Sequence, residues 1–318
     1  MRIFRHTSNI PDEFKGGVIA IGNFDGVHRG HQALLTETRR LAAERNVVFG
    51  VLAFEPHPQE YFRPAAECFR LTPFRTKARL IAAQGADAMF ALPFDGAMAV
   101  TSAQDFVLDV LVAGLGAGAV VVGSDFQFGK GRAGNTTVLA YMGEMEGFGL
   151  TIFPPVEDER HGKISSSRIR KALQEGRPRE ATDLLGHHWT IESRVEHGDG
   201  RGRAMGFPTA NMRIDGYLAP TFGVYAVRAT IMEDERPAGR FDGVANLGIR
   251  PMFESPVPLL ETCLFDFSGD LYGRHLAVEL VDYLRPEARF DDLDALKTQI
   301  EADTKAARAV LDASRTGC

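Results

Sequence analysis

The chain has little cysteine and no long hydrophobic run. Its three cysteines, Cys68, Cys263 and Cys318, are scattered over 318 residues and form no closely spaced pair. This usage is typical of a reducing compartment and argues against a disulfide framework or a cysteine-rich zinc site. No apolar run reaches the length of a membrane span, and the first residues lack the apolar stretch of a signal peptide. We therefore expect a cytoplasmic protein with no membrane partner.

An excess of positive charge is also missing. The formal net charge is -6, which argues against general nucleic-acid binding but leaves room for a local basic pocket. The hydrophobic fraction of 44% and the charged fraction of 25% are ordinary for a globular protein. A chain of this length favours two domains or one large one, and a homo-oligomer stays open.

Short apolar runs alternate with helical patterns from the first residue to about residue 185. The predicted strands are Val18–Ile21, Val47–Ala53, Ala88–Leu92, Ala119–Gly123 and Leu150–Phe153. The predicted helices are Gln32–Arg45, Phe74–Gln84, Ala103–Leu111, Thr136–Glu146 and Ser166–Glu175. This alternation predicts an α/β domain, a doubly wound parallel sheet with helices on both faces. Ligands bind such sheets beyond the carboxyl ends of the strands.

The segment after the first predicted strand carries the strongest functional signal. Residues 22–31 read G-N-F-D-G-V-H-R-G-H. Glycines allow a tight turn and a close approach of a ligand to the backbone. His28 and His31 fall where the strand ends and a helix begins, and free N–H groups and the helix dipole favour an anion there. Two imidazoles at this point can donate hydrogen bonds to phosphate oxygens.

Other interpretations of this segment are weaker. A purely structural turn would leave both histidines and Asp25 unexplained. Histidines three residues apart could bind a metal, but local spacing fixes no third ligand. A dinucleotide fingerprint must follow a strand, whereas the glycine-rich run at 114–118 precedes one, and no P-loop sequence occurs. Phosphate binding therefore remains the favoured interpretation.

A second polar run, I-S-S-S-R-I-R, covers residues 164–170. Serines before an apolar-periodic run are typical of a helix N-cap, which explains one or two of the three. It does not explain Arg170, one turn into the helix, where acidic residues are normally preferred. Hydroxyl groups and an arginine at a helix N-terminus suit a polyphosphate.

The pattern changes near Gly186 to short alternating runs separated by turns, which predicts an antiparallel β-barrel. The predicted strands are Thr190–Val195, Phe222–Thr230, Phe241–Leu247, Glu261–Phe267 and His275–Tyr283. A helix follows, with Asp291 as its expected N-cap and with apolar residues at helical spacing.

Polar residues of this second half cluster in three places. The run P-T-A-N at 208–211 reads as a rigid turn, and Thr209 and Asn211 point the same way if the chain is extended. Their oxygens are the type of ligand that Mg²⁺ prefers. The run G-V-A-N-L-G-I-R-P covers residues 243–251. Glu261 opens an otherwise apolar strand, where it is either an exposed edge carboxylate or a functional group.

Residues 22–31 resemble the G-x-F-D-G-x-H-x-G-H signature of the nucleotidyltransferase superfamily, in its flavin-adenylating branch. Residues 164–170 resemble the I-S-S-T-x-I-R motif of the same branch, with Ser167 in place of threonine. The resemblance implies that His28, His31 and Arg170 stabilise charge on the phosphates. It implies substrate or nucleotide contacts from Gly22, Phe24, Asp25, Gly30, Asp125, Ser165, Ser166 and Ser167.

The second half resembles the riboflavin kinase family in the runs G-R-G-R-x-x-G-F-P-T-A-N, G-V-A-N-x-G-x-R-P and E-x-x-x-F-x-F-x-G-D-L-Y-G. The resemblance implies that Thr209 and Asn211 hold Mg²⁺ and ATP phosphates and that Glu261 is the catalytic base. Implied substrate contacts come from Gly206, Phe207, Pro208, Asn246 and Arg250. Met252 departs from the threonine usual after R-P, and we expect this to alter loop packing only.

Together these runs resemble the bacterial bifunctional riboflavin kinase/FAD synthetase family. The resemblance implies an FMN adenylyltransferase domain over residues 1–185 and a riboflavin kinase barrel over residues 186–318. It implies riboflavin, FMN, FAD and ATP as substrates or products and Mg²⁺ as cofactor. A nucleotidyltransferase for another acceptor fused to an unrelated barrel stays open, as does a non-catalytic flavin-binding protein.

Overall fold

The computed structural model describes residues 1–64, 68–158, 162–197, 206–233, 236–249, 258–290 and 292–316. The chain forms two compact units. The first consists of Met1–Glu67 and Thr72–Ser165, and the second of Cys68–Leu71 and Ser166–Cys318. No helix among the described residues combines the length and apolarity needed to cross a membrane.

A parallel sheet forms the centre of the first unit. Its strands are β1 (Arg2–Phe4), β2 (Val18–Ile21), β3 (Phe49–Phe54), β4 (Ala88–Leu92), β5 (Ala119–Gly123) and β8 (Gly149–Phe153). They lie in the order β1-β4-β3-β2-β5-β8, with every neighbouring pair parallel. Short pairs β6 (Gln127–Phe128) with β7 (Gly134–Asn135) and β9 (Glu157–Asp158) with β10 (Gly162–Lys163) are antiparallel. The predicted parallel sheet is confirmed.

Helices cover the sheet. They are α1 (Arg29–Arg45), α2 (Pro58–Phe62), α3 (Phe74–Ala83), α4 (Gly96–Val100), α5 (Ala103–Asp105) and α6 (Thr136–Glu146). A 3-10 turn lies at Asp12–Phe14 and another at Lys130–Arg132. The α-helix predicted at 103–111 is wrong beyond Asp105, because the chain continues as a π-helix over Phe106–Gly114.

Alternate residues of each strand pack on opposite faces, as the doubly wound architecture requires. Ile19 and Ile21 join the apolar cluster that contains the π-helix and α6, whereas Val18 and Ala20 join the cluster that contains α1 and α3. The strand order reverses at β2, which lies between β3 and β5. The carboxyl edge of the sheet beside β2 and β5 is therefore the topological switch point at which ligands bind.

The second unit contains a closed antiparallel barrel. Its helices are α7 (Ser166–Gln174), α8 (Pro178–Leu185) and α9 (Leu293–Thr316). Its strands are β11 (Thr190–Glu196), β12 (Ala210–Arg213), β13 (Gly223–Glu233), β14 (Arg236–Ile249), β15 (Pro258–Leu264) and β16 (His275–Arg285). The strand order around the barrel is β11-β12-β15-β14-β13-β16. The predicted barrel and final helix are confirmed.

Helix α9 packs on the outside of this barrel. Its Ala307 and Leu311 share one apolar cluster with Val224, Val244 and other outward-facing strand residues. The predicted cap, Asp291, lies outside the described residues. The next residue, Asp292, accepts a hydrogen bond from the Ala295 N–H at 2.7 Å.

The compact units differ from the predicted domains over residues 166–185. Helices α7 and α8 group with the barrel, and residues 68–71 join them. Three successive carbonyls explain this grouping, because those of Phe69, Arg70 and Leu71 accept hydrogen bonds from Arg170, Leu218 and Trp189 respectively. Whether residues 186–318 fold by themselves stays a prediction.

Two strand predictions in the barrel were wrong. The run at 208–211 was expected to be a turn, but β12 begins at Ala210. Glu261 was expected to open a strand, but β15 begins at Pro258 and Glu261 lies at its middle. Both errors concern strand limits that cross-strand pairing sets, since β12 pairs with β15 over its whole length.

Candidate active sites

The loop between β2 and α1 has an unusual backbone. Phe24, Gly26 and Val27 all have positive φ angles, of 49°, 84° and 42°. A positive φ is a true outlier for a β-branched residue such as Val27, and such strain persists only where its surroundings enforce it. Phe24 and Val27 are fully buried, with 1% exposure each, so packing supplies that enforcement.

Asp25 and Gly26 connect this loop to Thr72 through hydrogen bonds. Its carboxylate accepts hydrogen bonds from the Thr72 N–H at 3.0 Å and the Thr72 hydroxyl at 3.3 Å. The Gly26 N–H donates to the same hydroxyl oxygen at 2.9 Å. These contacts give Asp25 a structural function. The sequence predicted only a nucleotide contact for this residue.

His28 caps α1. Its Nδ1 accepts a hydrogen bond from the His31 backbone N–H at 3.2 Å. Since Nδ1 accepts, the proton of the neutral ring lies on Nε2, which is then a hydrogen-bond donor. Gly30 makes room for this ring, because a Cβ at position 30 would lie 3.1 Å from the His28 Cε1.

His31 stacks on His28. The two ring centroids are 3.6 Å apart with planes inclined by 15°, and Phe24 meets His31 edge-on at 5.2 Å. The His31 Nδ1 is buried and has no hydrogen-bond partner. Burial, and then the charges of His28 and Lys77, hold the pKa of His31 well below its usual value. The ring is therefore neutral near pH 7.

The serine run begins beside this loop. Ile164 is buried, and its carbonyl oxygen would lie 3.9 Å from a Cβ at Gly30. Ser165 follows it directly as the last residue of the first unit. Ser166 opens α7 and, with Ser167, belongs to the second unit.

Arg170 and Asp125 have protein partners. The Arg170 Nε donates to the Phe69 carbonyl oxygen at 2.7 Å, and its guanidinium lies 5.0 Å from the Phe69 ring centroid. Asp125 follows β5 at the switch point, and its carboxylate accepts a hydrogen bond from the Lys163 ammonium at 2.8 Å. That bond holds the pKa of Asp125 below its usual value. Neither contact was visible in the sequence pattern.

The barrel places three predicted residues side by side. Asn211 on β12 pairs with Glu261 on β15, which pairs with Asn246 on β14. Directly opposed residues in antiparallel strands share one face of the sheet, with Cβ atoms about 4.5–5.5 Å apart. The intervening residues fill the barrel interior, as shown by Leu260 and Thr262 with 0% exposure. We call Asn211, Glu261 and Asn246 the outer-face row.

Some of the predicted residues next to this row lie within the described part of the chain. Gly206 has a φ of 86°, and Thr209 is half-buried just before β12. The Asn211 side-chain amide donates to the Thr209 carbonyl oxygen at 3.4 Å. Phe207 and Pro208 lie between them, and Phe207 is half-buried. Arg250 and Met252 lie outside the described residues.

Two groups of functional interest were not identified from the sequence. Lys77 is buried on α3, and its ammonium lies 4.0 Å from the Glu55 carboxylate. Its spacing from Phe74, Ala78 and Ile81 put it on the apolar stripe of α3, a signal that could have identified it. Glu287 accepts a hydrogen bond from the Asn246 amide at 3.3 Å, and no local pattern indicated this contact.

Comparison with known proteins finds two family matches along the chain. Residues 10–168 match the FAD synthetase family model, and residues 185–311 match the riboflavin kinase model. A crystal structure titled as a macrolide-efflux protein from Streptococcus pneumoniae is 30% identical with a TM-score of 0.84. That alignment covers 96% of this chain and 98% of the other. This likeness supports the fold of each of the two units described above.

Curated relatives extend this match over nearly the full length. The bifunctional riboflavin kinase/FMN adenylyltransferase of Escherichia coli strain K12 is 42% identical over 97% of this chain and 96% of its own length. The protein of the same name from Pseudomonas fluorescens is 40% identical, with 98% of each chain covered. The chain belongs to the family of bifunctional riboflavin kinase/FMN adenylyltransferases.

Proposed function

We propose that each compact unit carries one of the two reactions of this family at its own polar site. The chain phosphorylates riboflavin to FMN with ATP and adenylylates FMN to FAD with release of pyrophosphate. The observation that supports this division is the placement of the sites. Residues 22–31, which we call the histidine loop, lie within the FAD synthetase match, and the outer-face row lies within the riboflavin kinase match. We place both reactions in the cytoplasm, because the cysteine usage is typical of a reducing compartment.

In adenylyl transfer, a phosphate oxygen of FMN attacks the α-phosphorus of ATP and pyrophosphate leaves. The attacking phosphate is already an anion, so the step needs positioning and charge stabilisation more than a base. The Nε2–H of His28 and the ring of His31 supply hydrogen bonds at the N-terminus of α1. Ser165, beside the same loop, adds a hydroxyl. Arg170 lies in the second unit, so its contact with the leaving phosphates stays a prediction from the sequence motif alone.

In riboflavin phosphorylation, a ribityl hydroxyl attacks the γ-phosphorus of ATP and ADP leaves. Glu261 is the proposed base, because its carboxylate lies at the centre of the outer-face row and can accept the hydroxyl proton. Asn246 and Asn211 flank it and orient the reacting groups. Since a carboxylate at mid-strand between two amides is not an edge charge, the geometry favours the functional interpretation of Glu261.

The residues before and within β12 fit a magnesium ion. The Thr209 hydroxyl and the Asn211 amide oxygen are hard oxygen donors, and the Glu261 carboxylate is opposite Asn211. Two protein ligands suit Mg²⁺, which keeps water and substrate phosphates in its remaining positions. When bound, the ion would neutralise charge on the transferred phosphoryl group. Thr209 and Asn211 would hold it there.

A product assay tests this function. The chain is incubated with riboflavin, ATP and Mg²⁺, and flavins are separated by chromatography over time. We expect FMN to appear first and FAD to follow with an equal amount of pyrophosphate. ATP consumption with riboflavin but without FMN or FAD would reject the assignment, as would FAD formation only from supplied FMN.

A further inference from the structure

Glu287 is an acidic residue of the second unit without a place in the mechanism above. It lies two residues beyond β16 and is exposed. Its carboxylate accepts a hydrogen bond from the Asn246 side-chain amide at 3.3 Å. Asn246 belongs to the outer-face row, where it pairs with Glu261. Glu287 therefore contacts the proposed kinase site through one of its members.

The backbone of β14 leaves room for this carboxylate. Gly248 lies two residues after Asn246 and therefore on the same face of the strand. A Cβ at position 248 would clash with the Glu287 Oε1 and would lie 2.7 Å from its Cδ. Glycine is thus the residue that allows the carboxylate to lie directly on the strand. The hydrogen bond and this close approach are two separate observations that place Glu287 beside the row.

The chain beyond β16 reaches β14 because the intervening strand, β13, begins at that level. Arg285 at the end of β16 pairs with Val224 on β13, which pairs with Asn246 on β14. The first residue of β13 is Gly223, so the chain after Arg285 can pass the end of this strand. The Arg285 Nε and Nη2 donate to the two carboxylate oxygens of Asp303 on α9, at 2.8 and 2.7 Å. Glu287 therefore follows an anchored residue.

The hydrogen bond fixes which way the Asn246 amide faces. An ionised carboxylate can only accept, so the amide nitrogen must face Glu287. The amide oxygen then lies on the other side of the group, where it can accept a hydrogen bond from a substrate hydroxyl. Without this partner the amide could turn over and present its nitrogen instead, because the terminal torsion of asparagine is broad.

We propose that Glu287 is a positioning residue for riboflavin phosphorylation, which acts on the ribityl chain through Asn246. It holds the amide nitrogen of Asn246, so that the amide oxygen accepts a hydrogen bond from a ribityl hydroxyl next to the reacting one. Glu261 takes the proton of the reacting hydroxyl, and Glu287 does not itself contact the reacting atoms. This inference deepens the proposed kinase function of the outer-face row and rests on it.

The first test is Glu287→Ala in the full chain. Loss of one hydrogen bond to a charged group should lower the kcat of riboflavin phosphorylation by about tenfold. Glu287→Gln keeps an acceptor oxygen and should retain most of the activity. Thermal unfolding followed by circular dichroism checks that both variants fold. A wild-type kcat in Glu287→Ala would overturn the proposal, as would an equal loss in Glu287→Gln, which would show that the charge itself acts.

A double-mutant cycle separates positioning from general damage to the barrel. If Glu287 acts through Asn246, then Glu287→Ala should cause no further loss of kcat when it is added to Asn246→Ala. Another tenfold loss in the double variant would mean that Glu287 acts independently of Asn246. That result would overturn the proposal.

Gly248→Ala tests the close approach of the carboxylate to β14. The new Cβ must displace the Glu287 carboxylate, which is the flexible end of an exposed side chain. We expect kcat to fall as it does in Glu287→Ala, and we expect no further fall when the two substitutions are combined. A wild-type rate in Gly248→Ala, or additive losses in the combined variant, would overturn the proposal.

Glu279→Ala is the matched control. This glutamate of β16 also bonds to β14, where its carboxylate accepts a hydrogen bond from Arg240 at 2.7 Å, but Arg240 is not part of the outer-face row. We expect kcat to be unchanged. An equal fall in Glu279→Ala and Glu287→Ala would overturn the proposal. Riboflavin phosphorylation by Glu261→Gln at the wild-type rate would instead reject the proposed kinase mechanism on which the inference rests.

Discussion

The histidine loop and the outer-face row position their side chains in different ways. In the proposed function, both sites bind the phosphates of ATP. The loop uses left-handed backbone at Phe24, Gly26 and Val27 to present two stacked imidazole rings at a helix N-terminus. The row uses regular extended strands, whose register alone aligns Asn211, Glu261 and Asn246. The first site should therefore be sensitive to backbone and burial, and the second to side-chain chemistry.

Glu261→Gln should have the largest effect. It keeps the shape and hydrogen-bonding capacity of the side chain and removes its ability to accept a proton. General-base catalysis is typically worth about 10²–10⁴ in rate, so we expect riboflavin phosphorylation to fall by that order with little change in riboflavin affinity. Steady-state kinetics with riboflavin measures this.

FAD synthesis from supplied FMN is the internal control for Glu261→Gln and should be unchanged. Thr209→Ala is the useful contrast. It removes a proposed magnesium ligand but leaves the base, so it should raise the Mg²⁺ and ATP concentrations that the kinase reaction needs. Wild-type phosphorylation by Glu261→Gln would show that the carboxylate is not the base.

His31→Ala should nearly abolish FAD formation and spare FMN formation. Removal of one preorganised donor to developing charge typically lowers the rate by about 10²–10³. The variant is fed FMN with ATP, and separately riboflavin with ATP. Equal losses in the two reactions would contradict the division of labour between the units.

Gly30→Ala tests whether the loop depends on close packing of its rings. The new Cβ would lie 3.1 Å from the His28 Cε1, so the ring must move by a few tenths of an ångström. Misplacement of about 1 Å can lower a rate by about 10²-fold, and we expect a smaller fall, of about tenfold, in FMN adenylylation. Gly96→Ala is the control, since its Cβ would meet only the Tyr61 hydroxyl at an ordinary 3.5 Å.

The pH dependence of stability should show the smallest effect. The folded His31 has a lowered pKa, whereas in the unfolded chain it takes up a proton near pH 6.5. The unfolded state then binds more protons, so the free energy of unfolding falls as the pH drops below about 6.5. Urea unfolding at pH 7 and pH 5.5 should show a smaller loss in His31→Ala than in the wild type. An equal loss in both would contradict a lowered pKa of His31 in the folded state.

Much of the fold followed from sequence periodicity. The strands β2, β4 and β5 lie where apolar runs predicted them, and the change to antiparallel strands near Gly186 was visible as a change of period. Limits that depend on a partner strand were not visible. The start of β15 at Pro258 and the formation of β12 follow from pairing between distant segments.

The candidate sites were predictable as motifs but not as contact networks. The glycine and histidine spacing located the loop, because its chemistry is local to ten residues. The contact of Asp25 with Thr72 and that of Arg170 with Phe69 depend on residues far along the chain. No local pattern could assign these residues to structure rather than to substrate.

Mixing two full-length variants, each defective in one of the two reactions, tests the central claim most directly. Glu261→Gln and His31→Ala are combined in one reaction with riboflavin, ATP and Mg²⁺, and FAD is measured against each variant alone. If each reaction has its own site, His31→Ala supplies FMN and Glu261→Gln converts it, so the mixture makes FAD although neither variant does so efficiently. A mixture that makes no more FAD than the separate variants, while each retains its other reaction, would contradict two independent sites.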